Sequence, residues 1–338
     1  MRQDTLRKPA HAGLFPSRVL FSPVGAELSA RFAELTGLKN HAWETMLAGD
    51  APQRFFRGMK AGRGVFLKLI PSTHLEQHIF ANRIAAWSAS SGAPVLVMLP
   101  GYPVSFDAVH ALCAYEWFNG EYFAVGSETQ LMALADGLGV MHRSLASLPD
   151  IQLIKDNNSA FIQKMRETHA ALASGDARAC IEPAKVREVI RSFSLDDFDG
   201  LSAPSPLHGD VNPGNVLFSE NGLKILDFED SHFYFFPPEL ELSFVLERFA
   251  LIHGNGTTGV LDAFVAKYAD SGGSVSKLST KQLIHCLRLL RIIALCRLQS
   301  AKIDDEREWS KMLLLWDWIS LCESKKQWFP LYDSSRCT

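Results

Sequence analysis

The stretch Leu207-His208-Gly209-Asp210-Val211-Asn212-Pro213-Gly214-Asn215-Val216-Leu217, followed by Ile225-Leu226-Asp227-Phe228-Glu229, decides how the rest of the chain is read. It sets down one aspartate, an asparagine five residues later, and a second aspartate twelve beyond that. Val216-Leu217-Phe218 and Leu223-Lys224-Ile225-Leu226 flank Asn221-Gly222, a hairpin signal that returns Asp227 to the neighbourhood of Asn215. A carboxylate and an amide oxygen brought together suit a hard cation such as Mg²⁺, which is held by one or two carboxylates plus substrate phosphates. Asp210 is then left over and can take a proton from an attacking hydroxyl. Asp, Asn, Pro and Gly also crowd into ordinary turns. Both spacings and both flanking strands together nevertheless point to phosphoryl transfer.

The spacing is that of the H-R-D-x-x-x-x-N and D-F-G motifs of eukaryotic-type kinases. Here Gly209 stands in the place of the arginine, and the later triplet is Asp227-Phe228-Glu229. With those two departures the chain resembles the aminoglycoside phosphotransferase and choline kinase family, whose members phosphorylate small molecules. The resemblance covers roughly residues 43 to 250 and is most specific between Leu207 and Asp227. It implies Asp210 as catalytic base, Asn215 and Asp227 as metal ligands, and ATP with Mg²⁺ as cofactors. It also implies a bilobal, protein-kinase-like α+β fold: a small antiparallel-sheet lobe over residues 1–118 and a larger, mostly helical lobe over residues 119–338.

Composition agrees with a protein of that kind. The 338 residues suffice for two lobes, and 47% hydrophobic with 21% charged residues is an ordinary globular balance. A formal charge of −3 and a pI near 6.4 lack the basic footprint of a nucleic-acid binder. Cys113, Cys180, Cys286, Cys296, Cys322 and Cys337 are scattered, which reads as reduced cytosolic thiols. No apolar run reaches the roughly 18 uncharged residues of a membrane span. The best, Leu283 to Leu298, is broken by Arg288, Arg291 and Arg297. The expectation is a cytoplasmic protein with no membrane or nucleic-acid partner, a monomer or homodimer that takes a small hydroxyl compound as acceptor.

In the first half of the chain, Leu28, Phe32 and Leu35 recur at helical spacing before a stop at Gly37. Strands follow at Trp43 onward, near Phe55 to Arg57, and over Val65 to Ile70, with Lys68 inside the third. A lysine among apolar neighbours is costly to bury without an anionic partner. ATP phosphates would supply one; the alternative is an edge-strand lysine facing water. The segment Gly49 to Arg57 is similar to the G-D-A-S-x-R-x-Y-x-R hairpin of a bacterial branch of the family that includes kinases of cell-wall amino sugars. With no G-x-G-x-x-G loop, backbone N–H groups at Gly49, Asp50 and Ala51 would cover the phosphates, unless this is an ordinary hairpin turn.

The next helix begins after Pro71-Ser72 and offers Glu76 as the partner that kinases give the strand lysine. Thr73-His74-Leu75-Glu76 is also a capping box, which would turn Glu76 back on its own helix. Pro94 to Leu99 and Ala111 to Phe118 read as the remaining strands of the lobe, and Asn119-Gly120-Glu121 as the hinge. By resemblance, Glu116 and Phe118 are candidates to meet the adenine through their backbone. Beyond the hinge the chain turns helical, with Met141-His142-Arg143-Ser144-Leu145 resembling a family helix whose histidine is architectural. His208 is read as structural. Glu239 and Glu241 are accounted for as acids in the first turn of a helix. The acceptor expected first is a sugar or amino sugar. An aminoglycoside or choline-like amino alcohol comes next, hinted at by Glu229, Asp230 and the run Asp196-Asp197-Phe198-Asp199. A non-catalytic nucleotide- or metabolite-binding module is the alternative, although Lys68, Asp210, Asn215 and Asp227 are all retained.

Overall fold

The computed structural model describes residues 21–46, 54–61, 63–149, 151–177 and 182–331. The chain opens with β1 (Phe21–Pro23), α1 (Ala26–Thr36), β2 (Ala42–Met46), β3 (Phe55–Lys60) and β4 (Arg63–Pro71). After a 3₁₀ turn at Ser72–His74 come α2 (Leu75–Ser90), β5 (Val104–Ser105) and β6 (His110–Glu116). These strands form one antiparallel sheet in the order β1-β2-β3-β4-β6-β5. Alternation along the strands places Trp43, Phe56, Leu67, Leu112 and Ala114 in one apolar cluster with Phe32 of α1. The Phe32 ring lies 5.3 Å from Trp43 and 4.8 Å from Phe56, centroid to centroid. Gly37, at φ +68°, ends α1 where the periodicity stops.

The segment read from sequence as a strand at Pro94 to Leu99 is a strap instead. Leu96 donates to the Ile225 carbonyl and Ile225 to that of Pro94, while Leu99 donates to the Ala114 carbonyl. The apolar run therefore splits its hydrogen bonds between the N-terminal sheet and the hairpin that carries Asp227. Neither partnership is long enough to make it a strand of either. Its apolar composition is explained by burial, since Val95 and Met98 are core residues.

Beyond residue 120 the chain is mostly helical. α3 (Glu128–Ala146) runs into α4 (Ile151–Ser174) and α5 (Pro183–Arg191), then the short strand β7 (Ser205–Pro206). The hairpin β8 (Val216–Ser219) and β9 (Gly222–Ile225) pairs Ser219 with Gly222 across its turn, as Asn221-Gly222 predicts. A 3₁₀ turn at Phe228–His232 leads to β10 (Phe235–Phe236), which pairs with β7. The helices α6 (Pro238–Phe249), α7 (Thr258–Asp270), α8 (Thr280–Ser300) and α9 (Glu306–Lys325) complete the fold. Of these, α7 was not foreseen; it begins inside Gly254 to Gly259, a segment whose glycines read as a linker between helices. Trp309 and Trp318 are buried in the C-terminal core, whereas Trp316 stays half-buried against Phe193.

α6 carries three buried acids, each with a partner. Glu239 accepts from Ser202, Glu241 from the loop that holds Asp210, and Glu247 from Arg291 of α8 at 3.0 Å. Acids in a first helical turn are ordinary when they face water. Here burial changes their meaning, because an unpaired buried carboxylate costs several kcal/mol and each must be bound to something.

Candidate active site

The loop 207–215 is held from behind. Glu241 accepts the backbone N–H of Gly209 and, at 3.2 Å, that of His208. It also accepts from His142 Nε2 at 2.6 Å, and His142 contacts the Tyr268 hydroxyl at 2.9 Å through its other ring nitrogen. Burial alone would raise the Glu241 carboxyl, but the hydrogen bond and charge of His142 and the Gly209 amide hold it below the usual range. A buried anion therefore ties α3, α6 and α7 to the loop. Gly209 sits at φ +91°, and a Cβ there would lie 2.8 Å from the Tyr234 ring and 2.9 Å from Cβ of Asp230. Glycine replaces the kinase arginine because neither the backbone angle nor the space admits a side chain.

His208 is fully buried. Its Nε2–H donates to the Leu226 carbonyl at 2.8 Å, and its Nδ1 accepts from the Asp210 amide at 3.2 Å. The imidazole thus links the loop to the end of β9, and it packs in a T-shaped arrangement with the Phe228 ring, centroids 4.4 Å apart. The same junction is closed by the Leu226 amide donating to the Asn215 carbonyl at 2.8 Å. Asp210, Asn215 and Asp227 converge because these two bonds leave the hairpin no other register.

Asn215 Nδ2 donates to Asp210 twice, to its backbone oxygen and to Oδ2, both at 3.0 Å. That fixes the amide so that its nitrogen faces Asp210, leaving Oδ1 as an acceptor for something else. Burial pushes the Asp210 carboxyl up to about 6, with the nearby acids Asp230 and Asp227 adding to the effect. Asp227 is in the left-handed region, φ +63° and ψ +67°, and its side chain is 38% exposed. A carboxylate and an amide oxygen fit a hard divalent cation completed by phosphates, and no denser group of acids, histidines or cysteines among the described residues forms a metal cage.

Lys68 lies mid-strand on β4, opposite Phe55 of β3 and Cys113 of β6. Its Nζ reaches Asp227 at 3.0 and 3.2 Å and is also bonded to Glu229. The lysine's carboxylate partners are therefore Glu229 and Asp227, and Glu76 is not among them. Glu76 is exposed on the first turn of α2. The proposed capping box is not formed either, since α2 is entered from a 3₁₀ turn and its N-cap, His74, makes no side-chain capping bond. The α2 residue that reaches the pair is His78, buried, with Nε2 3.6 Å from Glu229. Burial and the Lys68 charge lower its pKa to about 4, so it is neutral near pH 7. α2 packs along the 3₁₀ turn at Phe228–His232, where Gln77 also contacts His232 at 3.4 Å. No local spacing signals a bond between residues 68 and 229, so sequence reasoning had no means to find Glu229 in this role.

Of the hinge candidates, Glu116 is exposed at the end of β6, across from Val65. The Phe118 carbonyl accepts from the Gly120 amide at 3.1 Å, and Glu121 then exchanges two backbone bonds with Phe218 of β8. Gly49, Asp50 and Ala51 lie outside the described residues. Two acids of the run have partners within the chain: Asp196 takes a forked pair from Arg166, and Asp197 faces His285 at 3.9 Å.

Several solved small-molecule kinases share this fold. A similar solved structure is the choline kinase LicA from Streptococcus pneumoniae, 12% identical, covering 88% of this chain and 100% of its own, with TM-score 0.59. Another is amicoumacin kinase hAmiN, solved with AMP-PNP and Ca²⁺: 15% identical, 93% and 100% covered, TM-score 0.53. A third is a type VIII aminoglycoside-3'-phosphotransferase, 19% identical, 80% and 100% covered, TM-score 0.52. At these identities the likeness shows the shared kinase-like fold. No curated protein matches the sequence at a significant level. No described helix is long and apolar enough to cross a membrane. The profile of the phosphotransferase enzyme family APH matches residues 44–272, more than half of the chain and all of the site just described, and the chain belongs to that family.

Proposed function

We propose that the protein transfers the γ-phosphoryl group of ATP to a hydroxyl of a small molecule, with a sugar or sugar derivative as the first class to try. The observation that carries this reading is the convergence of Asp210, Asn215, Asp227 and Lys68 at one junction, built from segments 159 residues apart. Asp210 orients the acceptor hydroxyl and takes its proton. Asn215 Oδ1 and the Asp227 carboxylate hold Mg²⁺, which supplies charge neutralisation between the phosphates. Lys68 binds the α- and β-phosphates while Glu229 keeps it in place, and the residues after β6 line the adenine side. Little covalent work falls to the protein, so positioning and preset charge account for most of the rate. The AMP-PNP bound by the amicoumacin kinase and the GDP bound by an aminoglycoside 2'-phosphotransferase support a purine nucleotide here, with ATP the first to try.

A coupled ADP-release assay with Mg²⁺-ATP across sugars, sugar acids, sugar phosphates, amino sugars, choline and aminoglycosides tests the reading. Acceptor-dependent ADP release is expected. ADP release from none of them, with no rise in melting temperature on adding Mg²⁺-ATP, overturns it.

The lysine anchor makes a second, separable prediction. Glu229→Gln weakens a charge-assisted bond of the kind that contributes about 1.5–3 kcal/mol, so kcat/KM for ATP should fall at least about tenfold. Glu76→Gln, on the exposed turn, should change it less than about twofold. Initial-rate measurements with ATP varied decide between the two glutamates, and equal effects would return Glu76 to the site.

A further inference from the structure

Three of the acids that could attract a cationic acceptor are compensated within the chain. Glu229 is bonded to Lys68, Asp230 to Arg297, and Asp196 to Arg166. Arg297 projects from α8, a helix otherwise largely buried, with its side chain 44% exposed. Its two terminal nitrogens donate to Asp230 at 2.8 and 3.3 Å, and its guanidinium lies 5.9 Å from the Phe233 ring centroid. A guanidinium carries five N–H donors. Asp230 is its one hydrogen-bonding partner among the described residues, so three donors remain on a group open to solvent.

This guanidinium stands close to the reacting position. Cβ of Asp230 packs against Gly209, the residue before Asp210, and the negative field that keeps Arg297 charged includes Asp210 as well as Asp230. A second cation arrives from another helix. Lys155 of α4 lies 5.3 Å from the Phe235 ring centroid and has no acidic partner among the described residues. Asn157 and Asn158, two and three residues further along α4, donate to the carbonyls of His232 and Phe233 at 2.9 and 3.0 Å, fixing α4 against this stretch. Two cations from two helices thus rest on aromatic rings two residues apart. Arg297 keeps free donors beyond its pair with Asp230, and Lys155, with no acid beside it among the described residues, serves no internal pair.

We propose that Arg297 and Lys155 form an anion subsite for the acceptor, so that the phosphorylated molecule is a hydroxyl compound carrying a carboxylate or phosphate. Arg297 takes the oxyanion through its free N–H donors while Asp230 holds the guanidinium in place, and Lys155 adds charge from the α4 side. The inference rests on the kinase reading above and narrows its acceptor. It disfavours polycations such as aminoglycosides, whose amino groups would meet Arg297 and Lys155.

The test compares matched acceptors on the full-length protein: glucose, glucosamine, gluconate and glucose 6-phosphate, with glycerate and glycerol 3-phosphate as smaller anions. Each is measured by ADP release and, in the presence of Mg²⁺-ADP, by calorimetric binding. Expected is a preference of at least tenfold in kcat/KM, or in Kd, for an anionic member over its neutral and amino counterparts. Gluconate and glycerate against the phosphate esters then distinguish a carboxylate from a phosphate. Arg297→Lys keeps the charge facing Asp230 but loses the fork, and Lys155→Met removes the second cation without orphaning an acid. Both should raise the acceptor KM at least about fivefold, with the KM for ATP moving far less. Preference for neutral or amino acceptors, no binding of any of the anions, or variants with an unchanged acceptor KM overturns the subsite. Absence of both turnover and a melting-temperature rise with Mg²⁺-ATP would sink the kinase reading instead, and the calorimetric arm would still decide the anion site.

Discussion

Asp210→Asn is expected to lower kcat by about 10²–10⁴-fold, the usual contribution of a positioned general base, and at neutral pH to raise the melting temperature. Both effects come from one feature, a carboxylate that burial and two neighbouring acids push up to about 6. The asparagine still accepts from Asn215 Nδ2 in the geometry that the aspartate uses at 3.0 Å, so the loop keeps its shape. What disappears is a proton acceptor and a buried charge.

The sign of the stability effect follows from linkage. The folded-state pKa of Asp210 lies above its unfolded value of 3.8, so between that value and about 6 the native protein binds more protons than the unfolded chain. Its stability therefore falls as pH rises through this window and stays lower above it. At most about 3 kcal/mol is involved, from 1.36 kcal/mol per pH unit. Asn carries no such dependence. The melting temperature of the variant should equal that of the wild type near pH 4 and exceed it by a few degrees at pH 7.5. Differential scanning calorimetry of the nucleotide-free proteins at both pH values reads this directly. A variant that is inactive and also less stable at pH 7.5 would show that Asp210 holds the loop rather than waiting for a proton.

How much of this site could be read from the chain alone depends on how local each contact is. Asp210 and Asn215 share one loop, and Asp227 is returned by a hairpin whose turn residues announce it, so spacing alone brought the three together. Lys68 was visible because a charged residue interrupts an apolar strand. Its partner was not, because Glu229 lies across the fold and its own neighbourhood looks like any acidic turn. Glu241 was concealed by a sound rule: acids in the first turn of a helix need no explanation when exposed, and nothing in Pro237-Pro238-Glu239-Leu240-Glu241 reveals that this turn is buried under the loop. The strap at Pro94 to Leu99 was misread for the same reason. An apolar run reports burial, and burial beside two different sheets looks like a place within one.

Asp227→Asn is the second substitution with a large expected effect, and here activity and stability should separate in the opposite way from Asp210→Asn. Asp227 contributes the one carboxylate of the candidate cation site, so kcat at saturating Mg²⁺-ATP should fall by about 10³-fold or more, several kcal/mol of charge stabilisation. The fold should hardly notice. Asn is among the few residues that tolerate the left-handed backbone at φ +63°. Lys68 keeps Glu229, so no cation is orphaned, and a pair whose carboxylate is 38% exposed contributes little more than about 1 kcal/mol. Asp227→Ala removes the same carboxylate but places an alanine in that backbone, which costs about 1–2 kcal/mol. The two variants should therefore be equally inactive, with Ala melting below Asn. Calorimetric ADP binding with Mg²⁺ and with EDTA supplies the second readout: wild type should gain affinity from Mg²⁺ and neither variant should. If Asp227→Asn retains activity within tenfold and still responds to Mg²⁺, the cation is held elsewhere, and Glu229, already bonded to Lys68 two residues on, becomes the carboxylate to replace next.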